Sequence, residues 1–387
     1  MEITEVEVLL LELPLTEPFV ASHGTTTVRT VSIVRVTGPD GEGWGECSAL
    51  PAATYTAESA VGGFRTLVDD LAPALVTDHA TVGNDPTDPI PLHPALAIAD
   101  DRPMARSAAE LAILDAALTA RGRSLADWLA GPAGPGVPDT VAAGVSLGLD
   151  TVERTVAAVG RLADEGYRRC KVKVEPGHDV DLVAAVANAV PGLAIHADAN
   201  GAFRPTGRTD PVTAVLAIAE AGASSLEQPF PPEDRANAAR LIAELDRAGS
   251  AVPVVADEAV ASVADFEAVT GAGAMTGLSI KPGRVGGVTV ARDLHDRCLA
   301  AGVVATAGGM LETGLGRHAL AALAALPGFA LTGDLSPAGR WLAADPWPDL
   351  TLADGRLTVP GGPGVAPPPD QDVVAGHLID RALIRRR

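Results

Sequence analysis

The sequence predicts an α/β fold: a closed (β/α) barrel with a smaller α+β domain ahead of it. Three observations predict it. From about residue 140 onward, short β-type runs recur roughly every 25 residues, each followed by an Ala-rich amphipathic stretch. Eight such units occupy roughly 200 residues, which suits a closed parallel barrel better than an open sheet. Residues 1–125 have a different texture, with strands first and helices after.

Residues 1–60 are β-rich, with alternating stretches at 3–13, 30–37 and 43–49 and the turn Pro39-Asp40-Gly41-Glu42-Gly43 between the last two. Residues 18–25 (PFVASHGT) read as a Gly-containing loop. Apolar spacing becomes helical over 58–75 and 104–120, and Gly122 is placed to end the second helix. Between them, 77–103 is polar and Pro-rich and is expected to be an exposed loop. The barrel strands are expected at 141–147, 170–175, 193–199, 224–228, 252–257, 277–281, 303–307 and 329–333. Helical stretches fall at 151–165, 180–189, 211–221, 234–248 and 288–301, and the eighth helix is weak. The domains are therefore expected at 1–125, 126–350 and 351–387, the last a Pro/Gly-rich tail with a short helix that returns to the first domain.

Totals exclude several functions. A net charge of −20 argues against nucleic acid and an anionic membrane surface as partners. Aromatic residues make up only 3% of the 387, so Ala, Val and Leu must fill the core. Cys47, Cys170 and Cys298 are far apart and odd in number, which fits a reducing cytoplasm rather than a disulfide framework or a zinc knuckle. The N-terminal stretch interleaves acids with apolar residues and reads as a strand, not a signal peptide. No run approaches the roughly 18 apolar residues of a membrane span.

Reactive groups of a (β/α) barrel sit at the C-terminal ends of its strands. Five consecutive strand ends here carry ionisable groups: Lys171 and Lys173, then Asp198 with Asn200, Glu227, Asp257 and Lys281. Alternation puts Lys171 and Lys173 on one face, with Lys173 nearer the mouth. Two buried ammonium groups are costly unless anions face them. Asp198, Glu227 and Asp257 come from adjacent strands, and three confined carboxylates do not all stay ionised without a cation. A donor set of oxygens without His or Cys suits Mg²⁺ or Mn²⁺ rather than zinc.

With a lysine on either flank of the metal, the arrangement suits removal of a proton α to a carboxylate. The metal would stabilise the resulting enediolate. A lysine acts as base only when its pKa falls from about 10.4 toward neutrality, and a neighbouring ammonium or a divalent cation pushes it that way. Lys171 is expected to act on its neighbour in this manner, and Arg284 on the second lysine. His196, one layer deeper than Asp198, reads as a hydrogen-bonded core residue, and Cys170 as packing. Glu258 and Glu312 are either supports beneath the site or solvated acids.

These segments resemble the enolase superfamily, specifically its muconate-lactonizing branch, with its K-x-K strand, Asp/Glu/Asp ligands and second lysine. The superfamily's Lys base with Mg²⁺ is a known pattern. Within the branch, YRRCKVKVEPGHDVD, SLEQPF, LSIKPGRVGG and GGMLETGLGRHAL are similar to segments of the o-succinylbenzoate synthase/N-succinylamino acid racemase subfamily. So are PFVASHGT, GWGECSALPAATYTAE, GVSLG and LPGFALTGDLS. The resemblance implies an enolase-type modified TIM barrel with an α+β capping domain, completed by the C-terminal tail.

It further implies Lys173 as the base and Lys281 as the opposite-face acid/base. Asp198, Glu227 and Asp257 would hold Mg²⁺, with Lys171, Asn200 and Arg284 in support. Ser22, His23, Ser146 and the backbone of Gly308, Gly309 and Met310 would bind substrate. The implied activity is dehydration of a cyclohexadiene-carboxylate to o-succinylbenzoate in menaquinone synthesis, racemisation of N-succinylamino acids, or both. An even-numbered homo-oligomer also follows from the resemblance. Two departures bear on the substrate: His23 stands where an aromatic is usual, and R-H-A-L replaces R-A-H-N.

Among competing activities, dipeptide epimerases usually carry Asp-x-Asp where this chain has Asp334-Leu335-Ser336. Muconate cycloisomerases share the catalytic residues. Mandelate-racemase-type chemistry would want a His where Lys281 stands, and a metal-dependent barrel hydrolase would want His-x-His on the first strand. A scaffold barrel would have no need for both lysines and all three acids.

Overall fold

The computed structural model describes residues 2–21, 24–77, 90, 92–131, 136–205 and 209–386. It opens with a long antiparallel hairpin, β1 (Glu5–Ala21) and β2 (Gly24–Gly38), followed by β3 (Gly41–Cys47). Val8 pairs with Val34 and Leu11 with Val31; the two pairs lie on opposite faces of the ribbon, and all four side chains are buried. Of the segment expected as a loop at 18–25, residues 18–21 and 24–25 instead belong to the two strands of this hairpin. Its register shifts between Pro14 and Phe19, and Phe19 then pairs with Thr26. The shift bends the ribbon toward the barrel, where Val20 accepts a hydrogen bond from Leu149 N at 2.8 Å.

The 18-residue helix Pro103–Ala120 crosses β3, and Gly43 and Gly45 are where its backbone presses on the sheet. Any Cβ at either glycine would collide with Ala112, Ala116 or Ala108 of the helix. The helical stretch expected at 58–75 is divided: α-helix at Ala60–Thr66, a π-turn at Leu67–Leu71, and α-helix again at Ala72–Thr77. Pro73 explains the break, because its ring cannot sit against the carbonyl four residues earlier in a regular α-turn. The expected exposed loop at 77–103 is corrected in part. Pro94–Ala99 forms a 3-10 helix with Ala95, Leu96 and Ala99 buried, because its apolar residues fill the edge of the first domain's core.

Next come β4 (Thr140–Ala142) and then the parallel strands β5 (Val145–Ser146), β6 (Arg169–Lys173), β7 (Ala194–Asp198), β8 (Ser225–Glu227), β9 (Val254–Ala256), β10 (Gly277–Ile280) and β11 (Val304–Ala307). β5 to β11 form one sheet in sequence order. Helices alternate with these strands, several started by side-chain caps such as Thr151 on Arg154 N and Ser262 on Asp265 N.

Two expected strands differ. The first, 141–147, is split. β4 turns away to pair with a later hairpin, β12 (Leu352–Ala353) and β13 (Arg356–Thr358), leaving only β5 in the barrel. The eighth, 329–333, is extended chain rather than a ladder-paired strand. Leu331 N and Asp334 N donate to Ala305 O and Ala307 O, and Gly144 N donates to Leu335 O at 3.0 Å. Gly144 and Gly333 bring the two backbones closer than a pleated pair allows, so the barrel closes by isolated bonds.

The tail ends in a short helix, Gln371–His377, and then a strand, β14 (Leu378–Arg385), that pairs antiparallel with β1. The strand completes the first sheet in the order β14-β1-β2-β3. Glu46 of β3 joins the two halves: its carboxylate accepts from Thr313 N and Oγ1 and from Gly316 N, capping the helix Gly314–Ala324. Among the described residues no helix is long and apolar enough to cross a membrane.

Candidate active site

Parallel register aligns the reactive side chains. Lys173 pairs with Asp198 and Asp198 with Glu227, so one row at the strand ends reads Lys, Asp, Glu. The row two residues below it reads Lys171, His196, Ser225. Asp257 and Lys281 follow directly on the last residues of β9 and β10. Local pattern goes far toward this, because each strand is short and buried and its side chains of one parity stack in rows toward the mouth.

The lysines are not equivalent. Lys171 donates to Glu227 Oε1 at 2.7 Å, lies 2.5 Å from Asp334 Oδ2 and 3.4 Å from Asp198 Oδ2, and has a side-chain exposure of only 3%. Burial alone would lower its pKa, but Asp334, Glu227 and Asp198 together hold it well above the ordinary lysine value. It therefore stays charged, and its charge is matched by three carboxylates instead of being directed mainly at its neighbour. Lys173 donates to Asp198 Oδ2 at 2.7 Å and to Asn200 Oδ1 at 2.6 Å. Asn200 in turn donates to Glu258 Oε1 at 2.8 Å, which makes Glu258 a support.

Lys281 donates to Asp257 Oδ2 and to the Tyr55 hydroxyl, both at 2.8 Å. Arg284 reaches the same two groups through Nη1 and donates from Nε to Val260 O at 3.1 Å. Burial would raise the Asp257 carboxyl, but Lys281 and Arg284 hold it well below the usual carboxylate range. Glu227 goes the other way. Burial, and after it the nearby carboxylates of Asp198, Asp257 and Asp334, push it up to about 7 against the pull of Lys171.

Ser146, Lys171, Lys173, Asp198, Asn200, Lys281, Gly309 and Met310 line one pocket. Glu227, Asp257 and Arg284 lie immediately beneath it through the bonds just described. Gly308 and Gly309 have a packing reason to be glycine. A Cβ at Gly308 would stand 2.6 Å from Lys281 Cγ, and one at Gly309 would stand 2.7 Å from Asp334 O. Ser22 and His23 fall outside the described residues. His196 is a core residue: its Nδ1 accepts from Arg169 Nη2 at 2.9 Å, and burial followed by the Arg169 charge holds its pKa well below the usual value.

Several site residues escaped the sequence reading. Asp334 faces the site from the irregular eighth station and binds both Arg169 and Lys171. Tyr55 enters from the first domain. Phe19 and Trp341 pack edge to face at 5.4 Å and, with Leu50, Met310 and Leu311, form the pocket's apolar wall. Glu312, one of the two acids left open between support and solvated residue, is a support: it accepts from Met310 N at 2.8 Å and pairs with Arg317, which also lines the pocket. Asp334 and Tyr55 lie inside quoted motif segments, which was the one available signal.

The expected metal ligands share the right chemistry but not a closed arrangement. Among the described residues no three His, Cys, Asp or Glu side chains surround a common point. Asp198, Glu227 and Asp257 are each turned onto an ammonium or guanidinium, since a buried carboxylate takes the nearest cation. Their donor set still fits a hard divalent ion. It is all oxygen, it spans adjacent strand ends, and it contains in Glu227 a carboxyl that burial, and after it like-charged neighbours, make reluctant to ionise.

A parallel barrel with lysines and carboxylates at successive strand ends, capped by a β-rich domain, defines a class, and two family profiles agree with it. One described as Enolase C-terminal domain-like matches residues 154–373, and one described as Mandelate racemase / muconate lactonizing enzyme, N-terminal domain, matches residues 3–130. The chain belongs to the enolase superfamily.

An N-succinylamino acid racemase from Amycolatopsis sp is 38% identical over 379 residues, covering 96% of each chain. An o-succinylbenzoate synthase from Bacillus subtilis (strain 168) is 31% identical over 380 residues, covering 98% of this chain and 97% of that one. A crystal structure of an enolase-superfamily member from Listeria innocua Clip11262 superposes with a TM-score of 0.87 at 28% identity, covering 100% of both chains.

Proposed function

We propose that this chain removes the proton α to a substrate carboxylate. It would act as an o-succinylbenzoate synthase that dehydrates 2-succinyl-6-hydroxy-2,4-cyclohexadiene-1-carboxylate, and the same pocket would racemise N-succinylamino acids. The observation that carries the reading is the pair Lys173 and Lys281. They stand at the ends of β6 and β10, four stations apart in a barrel of eight, and line one pocket. Groups four stations apart face each other across the mouth. A substrate held between them presents one face of its α carbon to each.

Lys173, set by Asp198 and Asn200, takes the proton from one face, and negative charge moves onto the carboxylate oxygens. Loss of hydroxide from the adjacent carbon then completes dehydration. Delivery of a proton from Lys281 to the opposite face completes racemisation. A divalent cation, Mg²⁺ or Mn²⁺, held by Asp198, Glu227 and Asp257 would supply charge stabilisation to those oxygens. The apolar wall of Phe19, Leu50, Met310, Leu311 and Trp341 excludes water and strengthens each of these interactions. Names of the similar proteins from Amycolatopsis and Bacillus support both halves of the reading.

Dipeptide epimerisation is the weaker alternative. Asp334, the carboxylate at the eighth station, is taken up by Arg169 and Lys171, and Ser336 Oγ accepts from Trp341 Nε1. No acid is left there for a dipeptide amine. The deciding experiment assays purified protein with Mg²⁺, by ultraviolet absorbance for dehydration and by polarimetry for racemisation. Neither signal, or signals unchanged in Lys173→Ala and Lys281→Ala, would overturn the proposal.

A further inference from the structure

The two opposed lysines are held by different parts of the chain. The hydrogen-bond partners of Lys173, Asp198 and Asn200, both belong to the barrel. Lys281 has one barrel partner, Asp257, and one from the first domain, Tyr55. Tyr55 lies on the connection between β3 and the helix Ala60–Thr66; the four residues before it are exposed, while its own side chain turns inward to line the pocket.

The hydroxyl of Tyr55 is fully used. A phenol has one proton and two acceptor lone pairs. It donates that proton to the Asp257 carboxylate, 3.1 Å from each oxygen, and accepts from Lys281 Nζ at 2.8 Å and Arg284 Nη1 at 2.7 Å. The ring centroid lies 4.6 Å from the Lys281 ammonium, which sits beyond the hydroxyl end of the ring. Tyr55 thus fixes Lys281 through its hydroxyl while holding the guanidinium of Arg284 alongside. A four-carbon stem carrying an ammonium has many rotamers, and this set of bonds selects one.

We infer that Tyr55 is a positioning residue for one face of the reaction: it aims Lys281, and through it the first domain governs proton transfer on the Lys281 side alone. This inference rests on the α-proton chemistry proposed above and adds an asymmetry to it. Among the described residues the hydrogen-bond partners of Lys173 come from the barrel alone, whereas Lys281 depends on how the first domain is seated.

The test follows α-proton exchange of each separate enantiomer of an N-succinylamino acid in D₂O with Mg²⁺, for wild type and Tyr55→Phe. The variant keeps the ring and removes only the hydroxyl, and thermal unfolding checks that it remains folded. The enantiomer whose α proton faces Lys281 should exchange on the order of ten- to a hundredfold more slowly, the usual effect of a misaimed catalytic group. The other enantiomer should exchange at close to the wild-type rate, because Lys173 removes and returns its proton. Racemisation should fall by the same factor in kcat/KM in both directions, since the two enantiomers are equal in free energy.

Asn200→Ala, on the Lys173 side, should shift the loss to the opposite enantiomer. A purely structural role for Tyr55 would slow both enantiomers alike, and that result, or no change in either, would overturn the inference. So would Tyr55→Phe and Asn200→Ala damaging the same enantiomer. A wild-type protein that exchanges neither enantiomer would instead overturn the proposed function, and the role of Tyr55 with it.

Discussion

The ammonium of Lys171 lies 2.7 Å from the carboxylate of Glu227, with side-chain exposures of 3% and 1%. Water cannot replace either partner there. Asp334 and Asp198 share the same cation but keep Arg169 and Lys173, so removing it strands the buried Glu227. Lys171→Met is expected to destabilise the fold by about 3–5 kcal/mol, the usual cost of breaking a buried ionic group from one side. Urea unfolding measures it, and a midpoint within error of wild type would refute it.

Lys173 should behave differently. Its side chain is 11% exposed and Asp198 keeps Lys171 nearby when Lys173 is lost. Lys173→Ala and Lys281→Ala are each expected to lower kcat by roughly 10²–10⁴-fold, the range for a lost acid or base. Initial rates of dehydration and racemisation, measured alongside the unfolding midpoint, separate this loss from misfolding.

Gly308→Ala tests how closely the backbone guards Lys281. The new Cβ would stand 2.5 Å from Ser279 Oγ and 2.6 Å from Lys281 Cγ, and neither buried group can move far. Activity is expected to fall at least tenfold, in keeping with small displacements of a reacting group. The effect should sit in kcat, which steady-state kinetics would reveal.

Chelation addresses the acids. EDTA is expected to abolish turnover, and added Mg²⁺ to restore it. Binding to the folded state alone should also raise the thermal midpoint, by the equivalent of about 2.7 kcal/mol at a hundredfold excess over Kd. In Glu227→Gln the rise should shrink or vanish. An unchanged response in that variant would remove Glu227 from the ligand set.

Asp115 provides a pH signature away from the site. It accepts from Trp44 N at 2.8 Å and Val365 N at 2.7 Å, tying the long helix to β3 and to the C-terminal segment. Burial pushes its carboxyl up to about 7, only partly opposed by those two donors. The folded state therefore holds this proton more tightly than the unfolded chain, whose aspartates titrate near about 3.9. The stabilising contribution is full below that lower value and is lost as pH rises to about 7. The difference in melting temperature between wild type and Asp115→Asn, followed across that window, should drift against wild type as pH increases.

Much of the site was legible because barrel chemistry is local. A strand of period 2 that stops at a polar residue states which side chain reaches the mouth, and the order of the strands states its neighbours. Lys173, Asp198, Glu227, Asp257 and Lys281 were found this way. Tyr55 and Asp334 were not, since a connection and an unpaired extended segment carry no periodicity that reports where they dock. The same gap concealed the split of the strand expected at 141–147 and the closure of the barrel through Gly144 and Gly333.

The amino-acid sequence by itself determined the fold class, the ionisable groups at the strand ends and their order around the barrel, because hydrophobic periodicity and strand ends are short-range properties. Only the tertiary structure decided which cation each carboxylate holds, since that depends on distances of a few ångströms between distant segments. It also separated Lys171, buried among three acids, from Lys173 at the pocket, and joined Lys281 to a tyrosine 226 residues away in the sequence.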